Sequence, residues 1–209
     1  MNNSITSALA KRFRGFFPVI IDVETSGFDA RTNALLEIAA VTVDMNEHGF
    51  LQPKQSSFYA TLPFDGAKLD PASLAFTGII PDHPFRMAIN EKKALAELFS
   101  DLKKEMKLAH CKRCVLVGHN AAFDLSFVAA ACERNRIKNV FHPFTTFDTA
   151  ALSALALGET VLATALERAK LPFDNKQAHS ALYDAERTAE LFCYIVNRWQ
   201  ELGGWETAL

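Results

Sequence analysis

The distribution of apolar residues divides the chain into short β-like runs followed by helical ones. Phe16 to Val23 (FFPVIIDV) is a compact, β-branched apolar run that predicts a buried strand, ended by Thr25-Ser26-Gly27. Leu35 to Asp44 (LLEIAAVTVD) predicts a second strand, closed by the turn residues Asn46 to Gly49, and Ser56 to Leu62 a third. Pro63, Pro71, Pro81 and Pro84, with Gly66 and Gly78, mark the next segment as loop with short helical turns. Glu91 to Leu108 then repeats its apolar residues at helical spacing. Cys114 to Val117 is a buried strand running into His119-Asn120, and Ala121 to Arg134 is helical. Thr149 to Leu157 and Val161 to Lys170 predict two short helices. Ala181 to Leu202 predicts a long amphipathic helix stopped by Gly203-Gly204. Strands followed by helices that alternate with a strand predict a mixed α/β sheet with helices on both faces.

Length and composition narrow this picture. The 209 residues suit a single domain able to bury most of its apolar surface without disulfides or a structural metal. No apolar run reaches the roughly 18 residues of a membrane span. Residues 1–17 lack the apolar block and cleavage site of a secretory signal. The expectation is a cytoplasmic protein with no membrane partner. Cys111-x-x-Cys114 has no second Cys or His pair at ligand spacing, so a zinc or redox role is disfavoured. The net charge of −2 argues against a histone-like protein but not against a local basic patch. The 17 Phe, against 3 Tyr and 2 Trp, exceed ordinary usage; core filling accounts for most of them, not necessarily for all.

The acids carry the chemistry. Asp22 and Glu24 are two apart at the end of the first strand, so both side chains share one face. Two carboxylates aimed the same way at a buried strand end repel each other unless a cation holds them, which suits a hard oxygen-ligand ion such as Mg²⁺ or Mn²⁺. Asn120-x-x-Phe123-Asp124 sits where a strand becomes a helix and would bring a third carboxylate to a neighbouring strand end. His179 and Asp184, five apart at the start of the last helix, would supply a base and a fourth acid. Each short motif also has an ordinary reading: surface acids at a strand end, helix-dipole acids at a first turn, a solvated loop histidine. Their order along the chain is more specific than any one of them.

That ordered set, Asp22, Glu24, Asp124 and Asp184 with His179, resembles the DEDDh branch of the DnaQ-like 3′–5′ exonucleases. Longer stretches resemble one member of that branch from about Arg12 to Trp205, among them FRGFFPVIIDVETSGF, HNAAFD and QAHSALYDAERTAELFCYIVNRWQELGGW. The resemblance implies a ribonuclease H-like mixed five-stranded sheet with its second strand antiparallel to the rest. One strand is then missing from the reading above, and Phe144 to Phe147 is its expected place. The resemblance also implies hydrolysis with two Mg²⁺, or Mn²⁺ as substitute, held by the four carboxylates, with His179 taking the proton of the attacking water. The expected products are 5′-nucleoside monophosphates. The expected substrates are short single-stranded 3′ ends of structured RNA, such as tRNA CCA ends and 5S or 23S rRNA precursors, and single-stranded DNA.

By the same resemblance, Phe28, Phe76, Phe123 and Phe144 occupy positions that stack on terminal bases. Residues 1–14 hold three bases and no acid, and residues 92–113 hold seven bases against three acids. Within them, Arg12, Arg14, Lys107 and Arg113 match residues that bind RNA on behalf of the partner subunit of a two-fold homodimer. One departure stands out: Ala72 replaces a glutamate four residues before Phe76, which puts discrimination against a 3′-terminal cytidine in question. The alternatives are a proofreading-type DNA exonuclease and a non-catalytic module that binds single-stranded 3′ ends. The chain stops nine residues after Gln200, without the linker and tail expected of the first, and the full set of five catalytic positions disfavours the second.

Overall fold

The structure, a computed structural model, describes residues 7–204; residues 1–6, and Trp205 at the end of the resemblance, lie outside that range. Five strands form one sheet: β1 (Phe16–Thr25), β2 (Leu35–Met45), β3 (Leu51–Ala60), β4 (Arg113–Gly118) and β5 (Phe141–Asp148). Their spatial order is β3-β2-β1-β4-β5. β2 pairs antiparallel with both β1 and β3, while β1, β4 and β5 are parallel, so the second strand alone runs against the others. β1 is central and covered on both faces, by the helix Ala181–Glu201 on one and the helix Ala122–Asn135 on the other, which is why its sequence is a nearly unbroken apolar run.

Among the described residues, seven α-helices flank the sheet: α1 (Ala8–Arg12), α2 (Pro71–Thr77), α3 (Glu91–Leu108), α4 (Ala122–Asn135), α5 (Thr149–Leu157), α6 (Leu162–Arg168) and α7 (Ala181–Glu201). α7 packs across β1, β2 and β3, and α3 and α4 pack on the opposite face. The main core lies between these layers, built from residues such as Ile20, Ile38, Leu95, Leu98, Phe127 and Phe192. A smaller apolar cluster joins Leu166 of α6 to Leu191 and Ile195 of α7.

Two predicted strands move. The third begins at Leu51, five residues ahead of its expected start, and ends at Ala60. It is an edge strand that is exposed from Gln52 to Ser56, with Pro53 at the point where its register with β2 slips. The fifth strand starts at Phe141 rather than near Phe144. Cys114 pairs with Phe141 but Leu116 pairs with Thr146, so residues between them bulge out of the ladder and break the alternation. α1 and the 3₁₀ turn Pro84–Arg86 are additional short elements.

The stretch Thr149–Arg168 has the length and composition of a membrane-crossing helix. It is folded as α5 and α6, of 9 and 7 residues, parted by Gly158 in the left-handed conformation. At 1.5 Å per residue, α5 spans about 14 Å, less than half of a hydrocarbon core.

Candidate active site

The parallel strands place their C-terminal ends, and the turns that follow them, along one edge of the sheet. Asp22 and Glu24 are near the end of β1, on one face, and Glu37 is paired directly opposite Glu24 on β2. β4 stops at Gly118, while β1 runs further, so the Val23 N–H lies beyond the ladder between these strands. Asp124, in the first turn of α4, fills that place: its Oδ1 accepts from Val23 N–H at 3.1 Å. Gly118 permits the approach, since a Cβ there would lie 3.0 Å from Asp124 Oδ2 and 3.1 Å from the Ala121 Cα. Asp148, at the end of β5, accepts from the backbone N–H groups of Asn120, Ala121 and Ala150 and so ties the starts of α4 and α5 together.

The fourth acid comes from α7, which packs across the face carrying Asp22 and Glu24. Asp184 Oδ2 accepts from His179 N–H at 2.9 Å, and its Oδ1 is buried without a hydrogen-bond partner. His179 is exposed, in the left-handed region at φ 66°, a conformation that costs a non-glycine residue energy and concentrates at functional sites. One ligand atom each from Glu24, His179 and Asp184 lie within 4.8 Å of one another.

This convergence has an electrostatic signature. Burial raises the Asp22 carboxyl well above its ordinary range, and the negative charges of Asp124, Asp184 and Glu24 raise it further. Burial, then the charges of Asp184 and Glu37, push Glu24 up to about 8. Asp124 is raised by burial against the opposing pull of backbone hydrogen bonds, including that from Val23. Asp184 is raised by burial and lowered in part by His179. Four acids, each held where it resists ionisation, and an orphaned buried carboxylate oxygen fit a divalent cation. The all-oxygen set with one imidazole suits a hard ion.

A groove of roughly 330 Å³ opens beside Glu24, lined by Phe28, Phe76 and Phe123 together with Ala72 and Ser73. Phe28 is 84% exposed and Phe76 67%. Phe28 faces Phe123 edge-on at 6.3 Å. The lip carrying Phe28 is held by Asn33, which donates to Ser26 O and Lys68 O and accepts from Asp29 N–H. Gly27 packs flat on Asn33, where a Cβ would come within 2.4 Å of that side chain. Arg134 steadies the same loop, donating to Ala30 O and pairing with the buried Glu91.

Phe144 is not among the groove residues. It is 81% exposed on the β5 bulge, and its ring meets His142, which in turn faces Phe16 at the start of β1. Eight residues of strand separate Phe16 from Glu24, about 26 Å at 3.3 Å per residue. The basic residues gather at that same far end. Arg113 pairs with Phe16, Arg12 and Arg14 immediately precede β1, and Lys107 is in the last turn of α3. Lys112 N–H bonds to Gly15 O at 2.7 Å, fastening the two segments together.

Sequence reasoning missed Glu37 and Asp148. An acid inside the apolar run of β2 was the available signal for Glu37. Asp148 ends a strand that the alternation did not reveal. Cys111 and Cys114 are buried free thiols, pushed up by burial to about 11 and about 12, which is inert core chemistry.

A central strand ending in paired acids, with a third from the next strand's helix and a fourth beside a histidine on the last helix, defines the DEDDh class of 3′–5′ exonucleases. Residues 19–192 match the family model described as Exonuclease, RNase_T. The chain belongs to the ribonuclease T family of that class: it is 58% identical to the ribonuclease T of Photorhabdus laumondii over 95% of this chain and 92% of that one. It is likewise 58% identical to the ribonuclease T of Shewanella putrefaciens, over 94% and 88% of the two chains. Among solved structures, E. coli exonuclease I in complex with a dT13 oligonucleotide is similar at TM-score 0.67 and 18% identity, covering 90% of this chain and 42% of that one. The nuclease domain of 3′hExo, a DEDDh family member bound to rAMP, is similar at TM-score 0.59 and 18% identity, covering 90% and 92%. At such identities the structures speak for the fold. The enzyme is a phosphodiester hydrolase working from 3′ ends.

Proposed function

We propose that this protein trims short single-stranded 3′ ends of structured RNA, including tRNA and rRNA precursors, and also degrades single-stranded DNA, releasing 5′-nucleoside monophosphates. The observation that carries this reading is the convergence of Asp22, Glu24, Asp124, Asp184 and His179 beside a groove walled by exposed phenylalanines. The 58% identical relatives are ribonucleases by name, which favours RNA. Free, buried cysteines suit the reducing cytoplasm.

Asp22, Glu24, Asp124 and Asp184 hold two Mg²⁺ ions, with Mn²⁺ as a substitute. Bound there, the ions supply positive charge against the developing charge of phosphodiester cleavage and of the leaving 3′ oxygen. His179 accepts the proton of the attacking water; its exposed position on a loop leaves the imidazole room to do so. Asp124 is aimed by its bond from Val23, and Asp184 by its bond from His179. Phe28, Phe76 and Phe123 stack on the last bases, whose π-faces they accept with little sequence preference.

Arg12, Arg14, Lys107 and Arg113, with the exposed Phe144, form an RNA-binding end. That end lies far from the acids of its own chain, which supports a two-fold homodimer in which one copy's basic end serves the other copy's groove.

The test offers uncharged tRNA, a 5S-like stem with a 3′ tail, and single-stranded DNA side by side, each with Mg²⁺ and with chelator. Stepwise 3′ shortening that requires metal and is faster on the RNA ends is expected. Equal or greater rates on DNA would favour the proofreading-type reading. Binding without cutting in Mg²⁺ would favour a non-catalytic module.

Stacking makes a second prediction. Phe28→Ala should raise KM about tenfold, since each stacked base is worth roughly 1–3 kcal/mol, and leave kcat within about threefold. Phe28 is exposed, so stability should hold. Steady-state kinetics on a tailed RNA check both numbers.

A further inference from the structure

We propose that Phe76 is a positioning residue for His179: its ring seats the imidazole against Glu24 and Asp184, so that one side chain serves both the base-accepting groove and the proton acceptor. This deepens the reading of the site given above and rests on it.

Among the described residues, the hydrogen bond that holds His179 runs from its N–H to Asp184 Oδ2. That bond fixes the backbone and leaves both side-chain torsions free, and an exposed imidazole samples several rotamers. A productive site needs one of them, the one in which a ring nitrogen approaches the carboxylates of Glu24 and Asp184 within 4.8 Å. Phe76 supplies the selecting contact. Its ring centroid is 4.1 Å from that of His179, at an interplanar angle of 52°. The phenylalanine is itself anchored. It is on α2, which Asp70 caps by accepting from Ala72 N–H and Ser73 N–H, and Asp70 N–H is bonded to Ser26 O in the loop after β1. The aromatic wall is thus registered to the strand that carries Asp22 and Glu24.

Because Phe76 also lines the groove, a base seated there shares its ring with the imidazole. Loss of the ring should then lower kcat as well as raise KM. A residue that only stacks on substrate would act mainly on KM and would do so whether or not His179 is present.

The experiment is a double-mutant cycle under single-turnover conditions, with enzyme in saturating excess over a 5′-labelled RNA bearing a single-stranded 3′ tail in Mg²⁺. Phe76→Ala should slow cleavage about tenfold when His179 is present and less than about twofold in the His179→Ala background, because coupled residues are non-additive. Phe76→Tyr, which keeps the ring, should restore the rate. In chelator, the His179 ring proton resonances, identified by their loss in His179→Ala, should move toward their unstructured positions in Phe76→Leu. Equal fold-losses in both backgrounds, a pure KM effect, or unmoved His179 resonances would overturn the proposal. A wild-type protein without metal-dependent cleavage, or His179→Ala at the wild-type rate, would overturn the reading of the site instead, so the two failures are distinguishable.

Discussion

Asp22→Asn loses at least about a thousandfold in the rate of 3′-end cleavage and still binds a tailed RNA. The expectation follows from where Asp22 sits. It is in the central strand, and its carboxyl is raised by burial and by four other acids, Asp124, Asp184, Glu24 and Glu37. A group so placed is the one best able to share charge with more than one cation. Asparagine keeps its shape and removes its charge. Divalent cations are worth several kcal/mol to the transition state, and each 1.36 kcal/mol is a factor of ten. The groove residues Phe28, Phe76 and Phe123 are untouched, so affinity measured by fluorescence anisotropy should change by less than about threefold while cleavage is lost. Cleavage within tenfold of wild type would remove Asp22 from the chemistry. The same variant tests sharing between copies. Mixed with Arg113→Ala, also inactive on tailed RNA, it should recover about a quarter of wild-type activity, the share of sites complete in a randomly re-assorted two-fold dimer. No recovery from the mixture would count against the dimer.

The parts of this molecule that periodicity revealed are the parts where one face is uniformly buried. α3 runs from Glu91 to Leu108 as its apolar spacing predicts, because its inner side packs on both the sheet and α4. β1 and β2 are legible for the same reason. β3 and β5 are edge strands, and there the pattern fails. β3 carries Gln52, Pro53, Lys54 and Gln55 toward solvent. In β5, His142, Pro143 and Phe144 are forced out of register by the bulge. The acids were visible singly, and Asp22 and Glu24 as a pair, because the two-residue period of a strand is local. Their union with Asp184 was not visible in the residues alone. It depends on α7 packing across β1 and β2, a contact between residues some 160 positions apart in the chain. The resemblance to the DEDDh exonucleases supplied that juxtaposition, and it also placed Phe144 with the base-stacking residues. In the folded chain Phe144 is exposed on the β5 bulge, beside His142 and outside the groove lined by Phe28, Phe76 and Phe123.

Metal-free protein should lose stability as pH rises from 6.5 to 8.5, and Mg²⁺ should reverse the trend. Glu24 ionises near 4.5 when unfolded and near 8 in the fold, so between those values the folded state holds a proton that the unfolded state has released. Its stabilising contribution is complete below pH 4.5 and is lost as pH climbs through 8. Asp22, Asp124 and Asp184 are shifted in the same direction and add to the slope. The window avoids opposing groups. His119 is lowered by burial and acts below its ordinary value of 6.5, while Asp70 and Asp174 are lowered by hydrogen bonds and act below about 4. The buried cysteines are raised and act only above 9. Glu24 alone accounts for about 2 kcal/mol between pH 6.5 and 8, and its neighbours act in the same direction. For a chain of this length the Glu24 contribution is a Tm decrease of about 4–8 °C in chelator. Cations bind only the ionised carboxylates, so in Mg²⁺ the protein should instead become more stable over the same range. Glu24→Gln should flatten the chelator curve and weaken the response to Mg²⁺. Thermal denaturation at several pH values, with and without Mg²⁺, checks all three. A Tm that falls equally in chelator and in Mg²⁺ would mean that these carboxylates hold no cation, and that their burial is a cost the fold carries for some other reason.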